Sequence, residues 1–201
     1  MDADWSVELG HDDETLDFPW CSPDGSLRYI DLSQHPSALT EIPEATQYRE
    51  LGEFLLAVNA PPSPWLTVKC DIWLDNELGE AEKIYDATVK QSSYVDLIAR
   101  DLAARFSFER HEKWVKSAAR QLSNDDTEPI ACEFIVRRCW YHPETNRDSS
   151  QADAAPAKDD PSPGFYVTFY LSGYADDEAQ ARTRWATGLQ WVTSVLTGLA
   201  P

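Results

Sequence analysis

Residues 164–196 read GFYVTFYLSGYADDEAQARTRWATGLQWVTSVL, a stretch that predicts a strand, an acidic break and a helix. The strand half carries apolar side chains at every second position, which is the period of a strand with one face on the core. The helix half begins at the acidic residues 176–178, whose charge stabilises a helix N-terminus. The inward residues of the strand are Phe165, Val167, Phe169 and Leu171, and those of the helix are Ala181, Trp185, Leu189, Val192 and Leu196.

A looser version of the same pattern covers residues 65–122. Laid over each other, the two parts give strand, strand, helix twice, with a Tyr-Val pair at 94–95 and again at 166–167. Either the chain contains an internal ββα-ββα duplication, or two supersecondary units of a common type follow each other by coincidence. Both alternatives predict the α+β class: a two-layer, mainly antiparallel sheet of four long strands with helices packed on one face.

The remaining segments place a boundary near residue 40. Residues 1–40 are rich in Asp, Pro, Ser and Gly and are predicted to be an extended N-terminal segment that packs on the main domain. Residues 41–201 are predicted to form a single α+β domain, in which 143–163 is a flexible acidic hairpin loop because it has no large apolar side chain. The other predicted elements are short strands at 5–9 and 27–32, a turn at 22–25 and a helix over 43–58. A short helical turn at 80–85, a strand over 94–100 and a helix over 107–122, with Ser107 as its N-cap, are also predicted.

Two predicted strands differ in their alternation. The strand over residues 65–74 alternates clearly, and its pattern places five side chains on one face: Leu66, Val68, Cys70, Ile72 and Leu74. The strand over residues 131–142 alternates poorly, which predicts either a bulge or a strand covered on both faces.

Charge restricts the classes of partner. The chain has 35 acidic and 17 basic residues and a net charge of -18. This charge disfavours binding to nucleic acids and to anionic membrane surfaces, and it attracts a basic protein partner. The alternative is that the charge only keeps the protein soluble. The N-terminus has no basic and apolar targeting pattern, and no apolar run is long enough to span a membrane, so a cytoplasmic protein is expected.

The sequence offers little catalytic chemistry. Its four cysteines form no CxxC, its four histidines are scattered, and no phosphate-binding or nucleophile-elbow motif occurs. Cys132, Cys139 and His142 share one strand but are too widely spaced for one zinc site. The aromatic strand 164–170 resembles a motif of RNA-recognition domains, yet Pro163 replaces the basic residue that precedes the glycine. No metal, cofactor or catalytic residue is predicted.

One face of the predicted sheet lies away from the helices and mixes aromatic and charged side chains. Such a surface suits a ligand, although tyrosine and threonine also favour strands for packing reasons alone. Arg137 adjoins Arg138, and only one of the two can point to a given face. That arginine is either an anion clamp or half of an internal ion pair. The predicted ligand-binding residues are Asp71, Trp73, Tyr94, Asp96, Arg137, Tyr166 and Tyr170.

We therefore expect a non-catalytic binding or protein-interaction module that uses the open sheet face or the acidic surface. Its partner would be a basic protein or a small ligand, and a homodimer that covers the face is a further option. The alternative is a small enzyme whose site combines Asp71, Asp96 and Arg137, because neighbouring carboxylates raise each other's pKa. The topology alone resembles duplicated sheet-platform domains, such as the effector-binding domains of some transcription regulators.

Overall fold

A computed structural model describes residues 1–79, 84–123, 128–143 and 160–198 of the chain. An open mixed sheet of six strands with helices packed around it confirms the α+β class. The strands are β1 (Asp2–Glu8), β2 (Thr15–Phe18), β3 (Trp65–Asp75), β4 (Val89–Ala99), β5 (Ile130–Tyr141) and β6 (Ser162–Ala175). The helices are α1 (Pro43–Gln47), α2 (Arg49–Asn59), α3 (Leu102–Arg105), α4 (Phe108–Leu122) and α5 (Glu178–Gly198), with 3₁₀ turns at Pro36–Glu41 and Ile84–Asp86.

The four long strands β3 to β6 form the antiparallel part of the sheet, as predicted. The strand order is β1-β5-β6-β4-β3, and β2 also pairs with β5. Strands β1 and β2 lie one after the other along β5, and both run parallel to it. The N-terminal segment therefore contributes a broken edge strand to the main sheet. The element order repeats strand, strand, helix, and a duplicated origin stays a prediction.

The main core lies between one face of the sheet and helices α2, α4 and α5. Trp114 of α4 and Trp185 of α5 are buried there against the strands. The indole nitrogen of Trp185 donates to the Ser93 hydroxyl at 2.8 Å, so its one polar atom is satisfied inside the core. Gly173 in β6 faces α5, where an added Cβ would overlap the Trp185 backbone nitrogen and the Ala181 carbonyl oxygen. A side chain at 173 would therefore hold the last helix off the sheet.

A bulge in β3 overturns the predicted alternation of that strand. Thr67 pairs with Leu97 and Lys69 with Asp96, so Val68 is an extra residue on the β3 side. As a result Leu66 and Val68 pack on the face away from the helices. Cys70 and Ile72 pack on the helix side instead. The prediction of one common face was wrong because a bulge shifts every later side chain by one position.

Strand β5 is covered on both faces, which explains its poor alternation. Phe134 and Val136 are fully buried under the helices, whereas Ile135 and Arg137 are buried on the opposite face. The pairing of β5 with β6 runs without a register shift. Of the two alternatives that the sequence left open, the one with a bulge is wrong.

Two predictions near the N-terminus also need correction. The helix predicted over 43–58 breaks at Tyr48, which adopts an extended conformation and packs its ring 6.0 Å from that of Trp185. No strand forms at 27–32; these residues include one limb of a small hairpin, in which Tyr29 N–H donates to the Trp20 carbonyl at 2.8 Å. The turn at 22–25 is present, with Gly25 at a φ of 72°.

Parts of three other predictions fall outside the described residues. They are most of the 143–163 loop, most of a helical turn at 80–85, and the end of the chain. Among the helices of the described ranges, none has the uninterrupted apolar length that a bilayer crossing requires. The boundary near residue 40 and the cytoplasmic location stay predictions.

Candidate functional site

The seven predicted ligand-binding residues all lie on the sheet face opposite the helices, which we call the second face. Strand register brings Asp71, Tyr94 and Tyr170 into one row across β3, β4 and β6. The next rows hold Asp96 with Thr168 and Arg137 with Tyr166. Four different environments nevertheless divide the seven: a buried charged cluster, a buried apolar cluster beside it, an open aromatic strip and the wall of a cavity.

The charged cluster consists of Asp96, Thr168, Arg137, Lys69, Glu8 and Glu14. Arg137 Nη1 donates to Thr168 Oγ1 at 3.2 Å, and Thr168 Oγ1 donates to Asp96 Oδ1 at 2.6 Å. The guanidinium also binds Glu8 at 2.7 Å and Glu14 at 3.2 Å. Arg137 is thus half of an internal ion pair, and its side chain is 8% exposed.

Two acidic residues of the N-terminal segment close this cluster from above. Glu8 ends β1 and Glu14 precedes β2, so the short connection between them passes over Arg137. Glu14 also lies 3.8 Å from the Lys69 ammonium on β3. Glu14 therefore connects β5 with β3, which stand three places apart in the sheet. These contacts hold the N-terminal segment across the second face.

Asp96 is the most perturbed carboxyl group of the cluster. It is 2% exposed, and burial raises its pKa from 3.8 to about 6, although Thr168, Lys69 and Arg137 all act to lower it. Burial therefore outweighs the hydrogen bond and the two positive charges. The folded protein holds the Asp96 proton more tightly than the unfolded chain does.

Replacing Asp96 by Asn should change how stability depends on pH. In the wild type, the contribution of the raised pKa is complete below 3.8 and is lost as the pH rises to about 6. The Asn side chain has no such dependence. The free energy of unfolding of Asp96→Asn minus that of the wild type should thus increase by about 2 kcal/mol from about pH 4 to about pH 7. Urea unfolding at several pH values measures it.

The control for this experiment is Asp12→Asn, since the Asp12 side chain is fully exposed. Its free energy of unfolding should stay close to that of the wild type over the same pH range, because the exposed contact of Asp12 with His11 contributes little to stability. A constant difference for Asp96→Asn as well would contradict the burial of an ionisable Asp96.

Tyr166 is fully buried beside this cluster, under the N-terminal segment. Its ring belongs to a second apolar cluster with Leu16, Phe18, Leu66 and Val68. In the described part of the chain its hydroxyl makes no hydrogen bond of normal geometry. Burial raises its pKa far above the usual range. Tyr166 therefore packs the N-terminal segment onto the sheet and is not accessible to a ligand.

The open part of the second face is an aromatic strip. The ring of Tyr94 lies 6.4 Å from that of Trp73 and 5.8 Å from that of Tyr170. All three side chains are half-buried. Beside them, the hydroxyl groups of Ser92 and Ser172 are 2.8 Å apart. The strip offers a flat apolar surface with polar atoms at its margin.

A cavity of about 300 Å³ adjoins the strip where the sheet ends at β3. We call it the edge cavity. One wall is the small hairpin at 20–30, another is the stretch 41–44 before and at the start of α1, and the floor is the bulged part of β3. Its lining residues are Trp20, Ser22, Leu27, Arg28, Ile30, Glu41, Ile42, Pro43, Glu44, Leu55, Thr67, Val68, Lys69, Cys70, Asp71 and Tyr94.

Lys69 joins the edge cavity to the charged cluster. Its ammonium group lies 5.1 Å from the centre of the Tyr94 ring and 5.8 Å from that of Trp20. These are cation–π distances. The bulge at Val68 contributes to this arrangement, because it turns Lys69 toward the second face directly after Val68. The cavity thus receives its aromatic wall from β4 and from the N-terminal hairpin.

The thiols of Cys70 and Cys139, which lie beside this site, are not activated. Burial, followed by the negative charges of Glu44 and Asp71, raises the pKa of Cys70 to about 12, and burial raises that of Cys139 to about 12. A thiol with such a pKa is a poor nucleophile at neutral pH. Within the described ranges, no three His, Cys, Asp or Glu side chains converge as metal ligands would.

No protein-family model matches the chain, and neither a characterised protein nor a solved structure is significantly similar to it. Its function therefore has to be inferred from the geometry of the molecule.

The residues predicted from the sequence do not include the N-terminal half of the site. Glu8, Glu14 and Trp20 lie in the segment that was predicted only to pack on the main domain. The sequence predicts a strand around Trp5 but does not predict that it pairs with β5. A parallel pairing between strands more than 120 residues apart leaves no local pattern in the sequence. The one sequence signal for a buried charged cluster was Arg137 itself, a basic residue within a strand of a strongly acidic chain.

Proposed function

We propose that the protein is a non-catalytic binding module that takes a small organic ligand in the edge cavity. The observation that carries this proposal is the cavity itself, whose volume of about 300 Å³ suits a ligand the size of one aromatic ring with a short substituent. Its lining combines apolar side chains with a few charged groups. That combination gives contact area for affinity and fixed polar groups for orientation.

The position of the cavity supports the proposal further. The walls come from three separate parts of the chain, namely the hairpin at 20–30, the start of α1 and strand β3. Salt bridges from Glu8 and Glu14 hold the N-terminal segment in place nearby. The cavity is thus largely formed before a ligand arrives, which lowers the cost of ordering side chains on binding.

A binding function is favoured over the enzyme alternative because a substrate has no access to Asp96 and Arg137. Asp96 and Arg137 do come together through Thr168, but both are buried below Glu8 and Glu14. Asp71 is exposed in the neighbouring row, beside Tyr94 and not beside Asp96. A substrate would have to displace the N-terminal segment to reach the carboxyl group with the raised pKa.

The proposal is tested with three ring compounds of nearly equal size: benzylamine, benzyl alcohol and benzoate. Each is titrated into the full chain while backbone amide shifts are recorded by NMR. We expect at least one compound to shift the amides of residues 67–71 and the indole of Trp20, with a Kd of about 1 mM. If none of the three perturbs these residues, the proposal is wrong.

A matched pair of variants locates the binding. Leu27→Trp places a large side chain at the cavity, where Leu27 is already 52% exposed, so the fold should tolerate it. Leu102→Trp makes the same change at a position that is 63% exposed and does not line the cavity. The first variant should abolish the shifts, and the second should leave them unchanged.

A further inference from the structure

We infer that the ligand of the edge cavity is an organic cation with an apolar body, an inference that rests on the proposed function. The chemistry comes from the charged side chains of the lining, which are Glu41, Glu44, Asp71, Arg28 and Lys69. How these charges are matched inside the protein decides which sign the cavity accepts.

Within the described ranges, the acidic side chains of the lining have no ionic partner. Glu41, Glu44 and Asp71 form no ion pair with any basic group in the described part of the chain. Lys69, in contrast, is already matched, since Glu14 lies 3.8 Å from its ammonium and Asp96 stands opposite it in the strand register. By the ion pairs of the described residues, the lining thus holds three unmatched carboxylates and one unmatched cation, Arg28, whose exposed side chain lies on the hairpin wall. A cationic ligand supplies the missing charge.

The aromatic wall of the cavity fits the same kind of ligand. Tyr94 and Trp20 already hold the Lys69 ammonium between 5 and 6 Å from their ring centres. Aromatic faces attract cations and give no comparable benefit to anions. The apolar part of the ligand would lie on Ile42, Leu55 and Val68, which also line the cavity.

The thiol of Cys70 lies in the same lining and is affected by the same carboxylates. Burial is the main cause of its raised pKa, and the charges of Glu44 and Asp71 act in the same direction. The same negative potential that opposes a thiolate opposes an anionic ligand and favours an ammonium or guanidinium group. The net charge of -18 adds to this preference over longer distances.

Two sources could present such a cation: a free amine, or a lysine side chain on a basic protein. Both use the same chemistry in the cavity. A free amine needs the cavity alone, whereas a protein would also contact the acidic surface around it. The test therefore includes a small amine and a lysine peptide.

The sign of the ligand is tested by comparing the three ring compounds at neutral pH, where benzylamine is a cation and benzoate an anion. We expect benzylamine to bind about tenfold more tightly than benzoate, with benzyl alcohol between them. In the Glu44→Gln, Asp71→Asn double variant, the affinity for benzylamine should fall about tenfold while that for benzyl alcohol stays the same. Asp12→Asn, which removes an exposed charge outside the cavity, should change neither affinity.

The outcomes separate this inference from the proposed function. If benzoate or benzyl alcohol binds in the cavity more tightly than benzylamine, the cation inference is overturned and the binding site stands. An unchanged benzylamine affinity in the double variant also overturns it. Binding of none of the compounds overturns both.

The source of the cation is read from a fourth titration with the peptide acetyl-Gly-Lys-Gly-amide and its Gln analogue. The two residues replaced in the double variant, Glu44 and Asp71, are half-exposed and exposed, so circular dichroism should confirm an intact fold. Preference for the Lys peptide over the Gln peptide supports the cation. An affinity above that of benzylamine assigns it to a protein side chain, and one below assigns it to a free amine. Measurable but equal binding of the Lys and Gln peptides counts against the inference.

Discussion

Gly173→Ala should lower the free energy of unfolding by about 3 kcal/mol. Gly173 lies in β6 on the face toward α5, and an added Cβ would overlap the backbone of Ala181 and Trp185. Backbone atoms cannot turn aside as a side chain can. The helix must then move away from the sheet, which opens the core around the fully buried Trp185. Urea unfolding followed by tryptophan fluorescence measures the loss.

The control is Gly198→Ala at the end of the same helix. An added Cβ at that position meets no atom within 4 Å in the described ranges. Alanine is also the better helix former, so this variant should be unchanged or slightly more stable. Equal denaturation midpoints for the two variants would contradict the close approach of α5 to β6.

Arg137→Met should also cost about 3 kcal/mol of unfolding free energy, for an electrostatic reason. Removing one partner of a buried ion pair costs about 3–5 kcal/mol, because the remaining charge is left unpaired. Here the side chains of Glu8 and Glu14 are 38% and 50% exposed and can recover water. Asp96 cannot, and it also loses a positive charge that lowers its pKa. These opposing effects place the expected cost at the lower end of the range.

Arg138→Met is the matched control on the same strand. The Arg138 guanidinium donates one hydrogen bond to the Leu9 carbonyl at 3.0 Å, and no salt bridge of Arg138 occurs among the described residues. Its loss should cost about 1 kcal/mol. A loss for Arg137→Met no larger than for Arg138→Met would contradict the charged cluster.

Hydrogen exchange distinguishes a local from a global effect of Arg137→Met. The amides of β1 and β2 should exchange faster than in the wild type, because Glu8 and Glu14 no longer hold this segment. The amides of β6 should follow the global stability alone. Ligand affinity in the edge cavity should fall as well, since the hairpin wall follows β2 directly in the chain.

The layered fold could be predicted because its signals are local. Alternation in β6 and the apolar face of α4 each follow from a few consecutive residues, and Ser107 caps α4 as its position before the helix suggests. The bulge at Val68 could not be foreseen, because Leu66, Val68, Cys70 and Ile72 are all apolar or nearly so. The polar residues Thr67, Lys69 and Asp71 alternate regularly with them on both sides of the bulge, so the pattern gives no sign of the shift.

The candidate site was predictable only in part, for a related reason. Asp96 and Arg137 share a face by alternation, but their connection depends on Thr168, whose hydroxyl is unremarkable in a strand. The edge cavity depends on where residues 20–30 fold back. That position is fixed by contacts between segments far apart in the chain, which no local pattern encodes.

The parallel pairing of β1 and β2 with β5 also sets an order of events during synthesis. Glu8 and Arg137 are separated by 129 positions, so the first strands leave the ribosome long before their partner exists. At translation rates of about 5–20 residues per second, that interval lasts roughly ten seconds. The Asp and Glu residues of this segment keep the waiting strand from pairing with other chains. The charged cluster around Arg137 therefore cannot form until β5 has been synthesised.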